Sequence, residues 1–217
     1  MLSYAELAKL IDHTLVHPWA GRDEIIRLCD EAVEHHFHGV CVNGSRVELA
    51  FSRLEDTNIK VTALVGFPLG ASDADVKRYE AEAAIDDGAS ELEYVMNIGK
   101  LKDGDTQFVL REMRDIAEAA EERPVKVILE TGLLKPEEIE TACALALDSG
   151  ATYVCTGTGL GAPVEIELVK KLRHLVGQKF GVKVAGNISD LATAAALIEA
   201  GATRLGIVGT VALMKRS

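Results

Sequence analysis

The chain has 217 residues, 48% of them hydrophobic, and a formal net charge of −11. That length suits one compact domain, residues 1–217, with a large core, and the composition excludes disorder. The acidic balance excludes nucleic acid and anionic membrane surfaces as main partners, because both reward clustered Lys and Arg.

No apolar run reaches the roughly 20 residues that a spanning helix needs. The start, MLSYAELAKLIDHTL, has no basic segment followed by an apolar one, so no secretion signal is expected. The four cysteines, Cys29, Cys41, Cys143 and Cys155, are widely spaced and match no zinc or CxxC pattern. A reducing cytoplasm is the expected setting.

In chain order, a short helix over Tyr4–Leu10 precedes a first strand at Ile11–Leu15. Further strands are predicted at Gly39–Asn43, Val61–Phe67, Leu92–Asn97, Lys126–Thr131, Tyr153–Thr156, Lys183–Gly186 and Arg204–Val208. Amphipathic segments such as DADVKRYEAEAAI and PEEIETACALAL lie between them. Three stretches, DDGASELEYVMNIG, DSGATYVCTGTG and EAGATRLGIVGT, share one grammar: a helix ends, Gly-Ala and a hydroxyl residue make the turn, and an apolar strand follows. Eight strand–helix units predict an α/β fold, a (β/α)8 TIM barrel. An open doubly wound sheet would carry a glycine-rich turn after its first strand, and DHTLVHP is not one.

Alternate residues of a barrel strand point inward, and those near the C-terminal ends line an active site. Several strands place polar residues where packing alone would use Val or Ile: Asp12, Cys41, Asn43, Thr62, Glu93, Lys126, Glu130, Cys155 and Lys183. Either they compensate one another as buried ions or they handle protons for catalysis. Lys183, away from water and beside other cations, is expected to lose its proton readily and become a nucleophile. Glu93 and Asp12 are candidate acids or bases. The loops Gly186–Ser189 and Gly206–Gly209 sit where barrels of this kind hold phosphate, though neither carries Lys or Arg. His35, His36 and His38 near a helix end are expected to interact with its dipole rather than to bind metal.

The ordered blocks IDHTLVHP, GVCVN, VTALVGFPLG, ELEYVMNIGKLKDGD, VKVILETGLL, ATYVCTGTG and VKVAGNISD resemble, across essentially the whole chain, the deoxyribose-phosphate aldolase family. The resemblance implies reversible cleavage of 2-deoxyribose 5-phosphate to acetaldehyde and glyceraldehyde 3-phosphate through a lysine Schiff base, without metal or other cofactor. It departs at the chemistry. Cys155 holds the position of the family's imine lysine, and Glu93 that of a fourth-strand aspartate. Lys183 matches the family's second lysine and Asp12 its first-strand acid. The phosphate loop lacks its arginine and the last loop its hydroxyls.

The candidate catalytic set is therefore Lys183, Cys155, Glu93 and Asp12. Asn43, Lys126, Thr156, Thr158, Gly186, Asn187, Gly206 and Gly209 are the candidate substrate contacts. Three readings stay open: a Lys183 imine with altered or reduced aldolase activity, a Cys155 thiolate activated by Lys183, and a silent barrel that binds a sugar phosphate or a protein partner. A homodimer is the expected assembly.

Overall fold

The computed structural model describes residues 3–161, 164–186 and 188–214. Eight parallel strands close in sequential order into a barrel: β1 (Ile11–Leu15), β2 (Gly39–Asn43), β3 (Lys60–Val65), β4 (Glu91–Val95), β5 (Val125–Ile128), β6 (Tyr153–Cys155), β7 (Gly181–Ala185) and β8 (Arg204–Ile207). The β1–β8 ladder, with Asp12 opposite Gly206, completes the circle. The expected first strand forms over the expected residues, and the helix before it, α1 (Tyr4–Ala8), starts on a Ser3 cap closed by Glu6. Several strands end earlier than their apolar pattern. β5 stops at Ile128 because Glu130 takes a left-handed backbone (φ 53°) and turns the chain. β7 starts two residues before Lys183, which places that lysine mid-strand.

The Gly-Ala-hydroxyl repeat has a definite mechanical role. Gly88, Gly150 and Gly201 end their helices at φ 99°, 90° and 114°, in the region where a side chain is strained. The alanines behind them are buried, and the hydroxyl residues bond the start of the preceding strand. Ser90 Oγ accepts from Val61 N at 2.9 Å, Thr152 Oγ1 donates to Val125 O at 3.2 Å, and Thr203 Oγ1 accepts from Val182 N at 3.0 Å. The repeat therefore ties β4, β6 and β8 to β3, β5 and β7.

The outer helices include α2 (Arg22–Glu34), α3 (Val47–Leu54), α4 (Ala74–Asp86), α5 (Ile98–Lys102), α6 (Thr106–Ala119), α7 (Pro136–Leu147), α8 (Ile166–Val176), α9 (Leu191–Glu199) and α10 (Thr210–Met214). Their starts carry the caps that orphan amides require: Asp73, Asp105 and Asp190 accept from the first turns of α4, α6 and α9, and Pro136 opens α7. The main apolar core lies between this shell and the outward faces of the strands. A second, small cluster lies inside the barrel: Val16, Cys41, Leu64, Val95, Ile128 and Cys155.

Candidate active site

The lumen below that small cluster is ionic. Asp12 lies at its centre. Its Oδ2 accepts from Lys183 Nζ at 2.8 Å and faces Lys126 Nζ at 3.6 Å, while Oδ1 accepts from Arg204 at 3.0 Å. Lys183 also donates to Glu93, and Lys126 donates to Glu91 and to Thr62 Oγ1. His38 closes the lower end on Glu91 at 3.1 Å. Arg204 reaches the Tyr153 hydroxyl at 3.3 Å and lies over its ring. Asp12, Lys126 and Lys183 are at most 1% exposed.

Burial alone would lower the Lys183 amine, but Asp12 and Glu93 outweigh it and hold the amine well above its ordinary range. This reverses the expectation from sequence that Lys183 readily loses its proton: the lumen supplies carboxylates to it before it supplies like charge. Burial would likewise raise the Asp12 carboxyl, and Lys183, Lys126 and Arg204 together pull it far down. Glu91, against burial, is drawn by Lys126 to about 2.

Cys155 lies in register with Lys183 on the neighbouring strand, points into the lumen and is fully buried. Burial first, and Glu93 next, push its thiol well above the usual range despite Lys183 nearby. Burial and Glu93 thus oppose the lysine-activated thiolate expected from sequence. The thiol donates to Gly157 O at 3.3 Å. Glu93 is the second acceptor on this side of the lumen, also facing Cys41 Sγ at 3.9 Å. The long Glu93 side chain thus meets Lys183 beside the short Cys155.

Leu64, Val95 and Ile128 lie two residues beyond Thr62, Glu93 and Lys126 along their strands, toward the C-terminal mouth. With Val16 they lay an apolar cover over the ions. Two cavities open above. One, of about 440 Å³, is lined by Glu130, Thr131, Thr156, Gly157, Val164 and Glu165 among others. The other, of about 230 Å³, is lined by Thr14, Val16, His17, Thr158, Gly159, Leu160, Ala185, Gly186, Ile188, Gly206 and Val208. Neither is lined by Asp12, Glu93, Cys155 or Lys183.

The remaining expected contacts separate by height. Lys126 lies deep in the ion network. Asn43 donates to Val16 O at 3.1 Å, at the rim. Thr156 lines the larger cavity and bonds Ala185 N through its hydroxyl at 3.2 Å. Thr158 gives its amide to Glu130 at 2.9 Å. A Cβ at Gly206 would come within 2.9 Å of Lys183 Cε and push on the end of that lysine. Gly209 turns the last loop at φ 70°. Asn187 lies outside the described residues.

Sequence reasoning missed Arg204 and Glu91. Glu91 lies two residues before Glu93, which was read as inward, so strand alternation carried its signal; β8 had no residue read as inward to point to Arg204. Asp12, His38 and Glu91 could in geometry converge on a cation. Their acceptor oxygens are already engaged by Lys183, Lys126, Arg204 and His38, so the donor set does not fit a metal. His35 instead bonds the Tyr4 hydroxyl at 2.7 Å. His13 was not singled out, yet it is buried and joins Thr210 Oγ1 (2.9 Å) to Glu31 (2.8 Å), fastening α10 to α2.

A closed parallel barrel whose lumen sets lysines among carboxylates below a C-terminal mouth is a (β/α)8 TIM barrel with a charged interior. Residues 7–197 match the DeoC/LacD family aldolase model. A deoxyribose-phosphate aldolase of Thermococcus gammatolerans is 47% identical over 206 residues, 93% of this chain and 92% of that protein. One of Clostridium botulinum is 44% identical over 211 residues, covering 97% and 100%. Among solved structures, the tetrameric deoxyribose phosphate aldolase of Aeropyrum pernix superposes with a TM-score of 0.91 at 28% identity, covering 98% of this chain and 91% of that one. The aldolase QR15 superposes at 0.93 with 33% identity, covering 97% and 95%. The chain belongs to the DeoC/LacD aldolase family.

Proposed function

We propose that this chain is a carbon–carbon lyase that cleaves a short β-hydroxyaldehyde of the deoxyribose type through Lys183, slowly and best at alkaline pH. The observation that carries this reading is Lys183 Nζ held between Asp12 and Glu93 while Cys155 fills the neighbouring strand position. A thiol cannot take over the imine's task. An iminium draws off the electron pair released when the C–C bond breaks, and a thiohemiacetal does not.

In this route the Lys183 ammonium passes a proton to Glu93. The neutral amine adds to the substrate carbonyl, and Glu93 returns the proton to the carbinolamine oxygen, which leaves as water. The resulting iminium keeps a positive charge beside Asp12. Glu93, again a carboxylate, takes the proton of the β-hydroxyl. The C–C bond breaks, one aldehyde leaves, and its electron pair passes into the enamine. Glu93 protonates the enamine carbon, and water releases acetaldehyde and Lys183.

Two features slow this route. Each pKa unit by which Lys183 is raised removes about tenfold of neutral amine. The apolar cover of Val16, Leu64, Val95 and Ile128 also has to part before a carbonyl reaches Nζ. Borohydride reduction with acetaldehyde, read by intact mass and peptide digestion, tests the reading. The expected result is a small adduct on Lys183 that grows with pH. No adduct at any pH would overturn it.

The rival reading is a barrel that binds a ligand without turnover, favoured by the enclosure of Lys183; it predicts ligand binding with no adduct. The assembly we expect is a twofold homodimer, tested by light scattering. Four buried free thiols suit a reducing compartment.

A further inference from the structure

We infer that the smaller mouth cavity takes an uncharged short polyol or hydroxyaldehyde rather than a phosphate ester. This deepens the lyase reading and rests on it for the site's purpose, though not for its chemistry.

The cavity lies over β1, β6, β7 and β8. Among the described residues of its lining, His17 is the one ionisable side chain, and it is stacked on Trp19 at 4.8 Å. The loops after β6, β7 and β8 carry no Lys or Arg anywhere in their sequence: Gly157–Glu165, Gly186–Asp190 and Val208–Thr210. In the α9 first turn, the natural seat for an anion in this corner of a barrel, the Thr193 amide is already taken by Asp190. Asp190 accepts from Thr193 N at 2.7 Å and Thr193 Oγ1 at 2.8 Å, and Ser189 Oγ adds a third bond at 3.2 Å. Those bonds hold the Asp190 carboxyl below its usual range, so it stays ionised at neutral pH. A dianion brought to this loop would meet a fixed carboxylate and no cation, with the chain's net charge of −11 behind it.

Apart from His17 the lining is neutral: the hydroxyls of Thr14, which already donates to Asp12 O at 2.8 Å, and Thr158, the backbone of Gly159, Gly186 and Gly206, buried Ile188, and apolar Leu160 and Val208 at the rim. Hydroxyls matched to hydroxyls and backbone, with apolar walls beside a carbon chain, is the chemistry of a sugar alcohol or short hydroxyaldehyde.

Titration calorimetry with 2-deoxyribitol, its 5-phosphate and inorganic phosphate decides. Deoxyribitol has no carbonyl, so its binding is independent of the Lys183 amine. Failure here and failure of the imine route are therefore read separately. Wild type should bind deoxyribitol at least as tightly as the 5-phosphate, with no competition by inorganic phosphate. Val208→Trp or Leu160→Trp, at exposed rim positions, should each weaken deoxyribitol by about tenfold or more while leaving the melting temperature unchanged. Ser189→Arg combined with Asp190→Asn should shift preference toward the phosphate ester. A tenfold preference of wild type for the ester, undiminished binding in both tryptophan variants, or no binding of deoxyribitol would each overturn the inference.

Discussion

Cys155 stands opposite Lys183 across the β6–β7 ladder, and Glu93 comes to both. The cysteine leaves room in the upper lumen, and the glutamate carboxylate reaches into it. The outcome is an ammonium satisfied by two carboxylates and a thiol with no reason to ionise. A nucleophilic cysteine needs the opposite, an electropositive and partly open setting. All four cysteines are buried. Native protein at pH 8 should therefore show no thiol reactive with an aromatic disulfide reagent within minutes, and the full complement once unfolded. One fast thiol mapped to Cys155 would restore the cysteine-dependent reading.

Asp12 receives Lys183, Lys126 and Arg204. Asp12→Asn keeps the shape but leaves three buried cations short of a counter-charge. Removing one partner of a buried ion cluster costs about 3–5 kcal/mol. Urea unfolding should show a loss of that size with an unchanged slope. A loss below about 1 kcal/mol would mean that Glu91 and Glu93 suffice and that Asp12 is not the anchor.

The barrel itself was legible because its signals are local and repeated. Gly-Ala-hydroxyl turns recur, and apolar strands alternate with amphipathic helices. Asp12, Glu93 and Lys183 stood out as polar residues in apolar strands. What the sequence could not show was who meets whom. Asp12 and Lys183 are 171 residues apart in the chain and touch only because β1 and β7 flank β8 in the closed circle. Read alone, a buried lysine implies a lowered pKa; read with its two carboxylates, it implies the reverse. Strand ends were also hidden, because apolar runs continue past them and only a backbone turn such as that at Glu130 marks the stop.

The pH dependence follows from the same pair. The folded pKa of Lys183 lies above its unfolded value of about 10.4. Its stabilisation is therefore complete below about pH 10.4 and fades as pH rises through the folded value. Asp12 is the mirror case. Its stabilisation is present above the unfolded value of about 3.9 and is lost as pH falls through the folded value. Between those limits the contributions of Asp12 and Lys183 stay constant while the small neutral fraction of Lys183 climbs. Cleavage of 2-deoxyribose should therefore rise about tenfold per pH unit from pH 7 to pH 9, read as acetaldehyde release. A flat or bell-shaped profile centred near neutrality would remove Lys183 as the rate-limiting amine.

Restoring an amine at Cys155 tests whether the remodelling of the lumen is one event or two. In Cys155→Lys the new side chain projects beside the Lys183 ammonium in a site closed to water. Burial and the like charge both lower its pKa and favour a neutral nucleophile. Glu93, however, already reaches that space, so the new lysine meets a carboxylate that pairs with it and displaces it. A displacement of about 1 Å costs about 100-fold in rate. The single variant should therefore form a trappable imine with acetaldehyde yet cleave 2-deoxyribose poorly. Glu93→Asp alone withdraws the proton carrier of the Lys183 route without creating a new amine and should lower the wild-type turnover. Together the two substitutions withdraw the carboxylate by one methylene as the amine arrives, and the gain should exceed the product of the separate effects. Acetaldehyde release coupled to alcohol dehydrogenase measures it, with Lys183→Met in each background. Strictly multiplicative effects would mean that Cys155 and Glu93 are independent. Wild-type turnover equal to the double variant, and lost in Lys183→Met, would show that Lys183 alone is sufficient and that the cysteine never stood in the way.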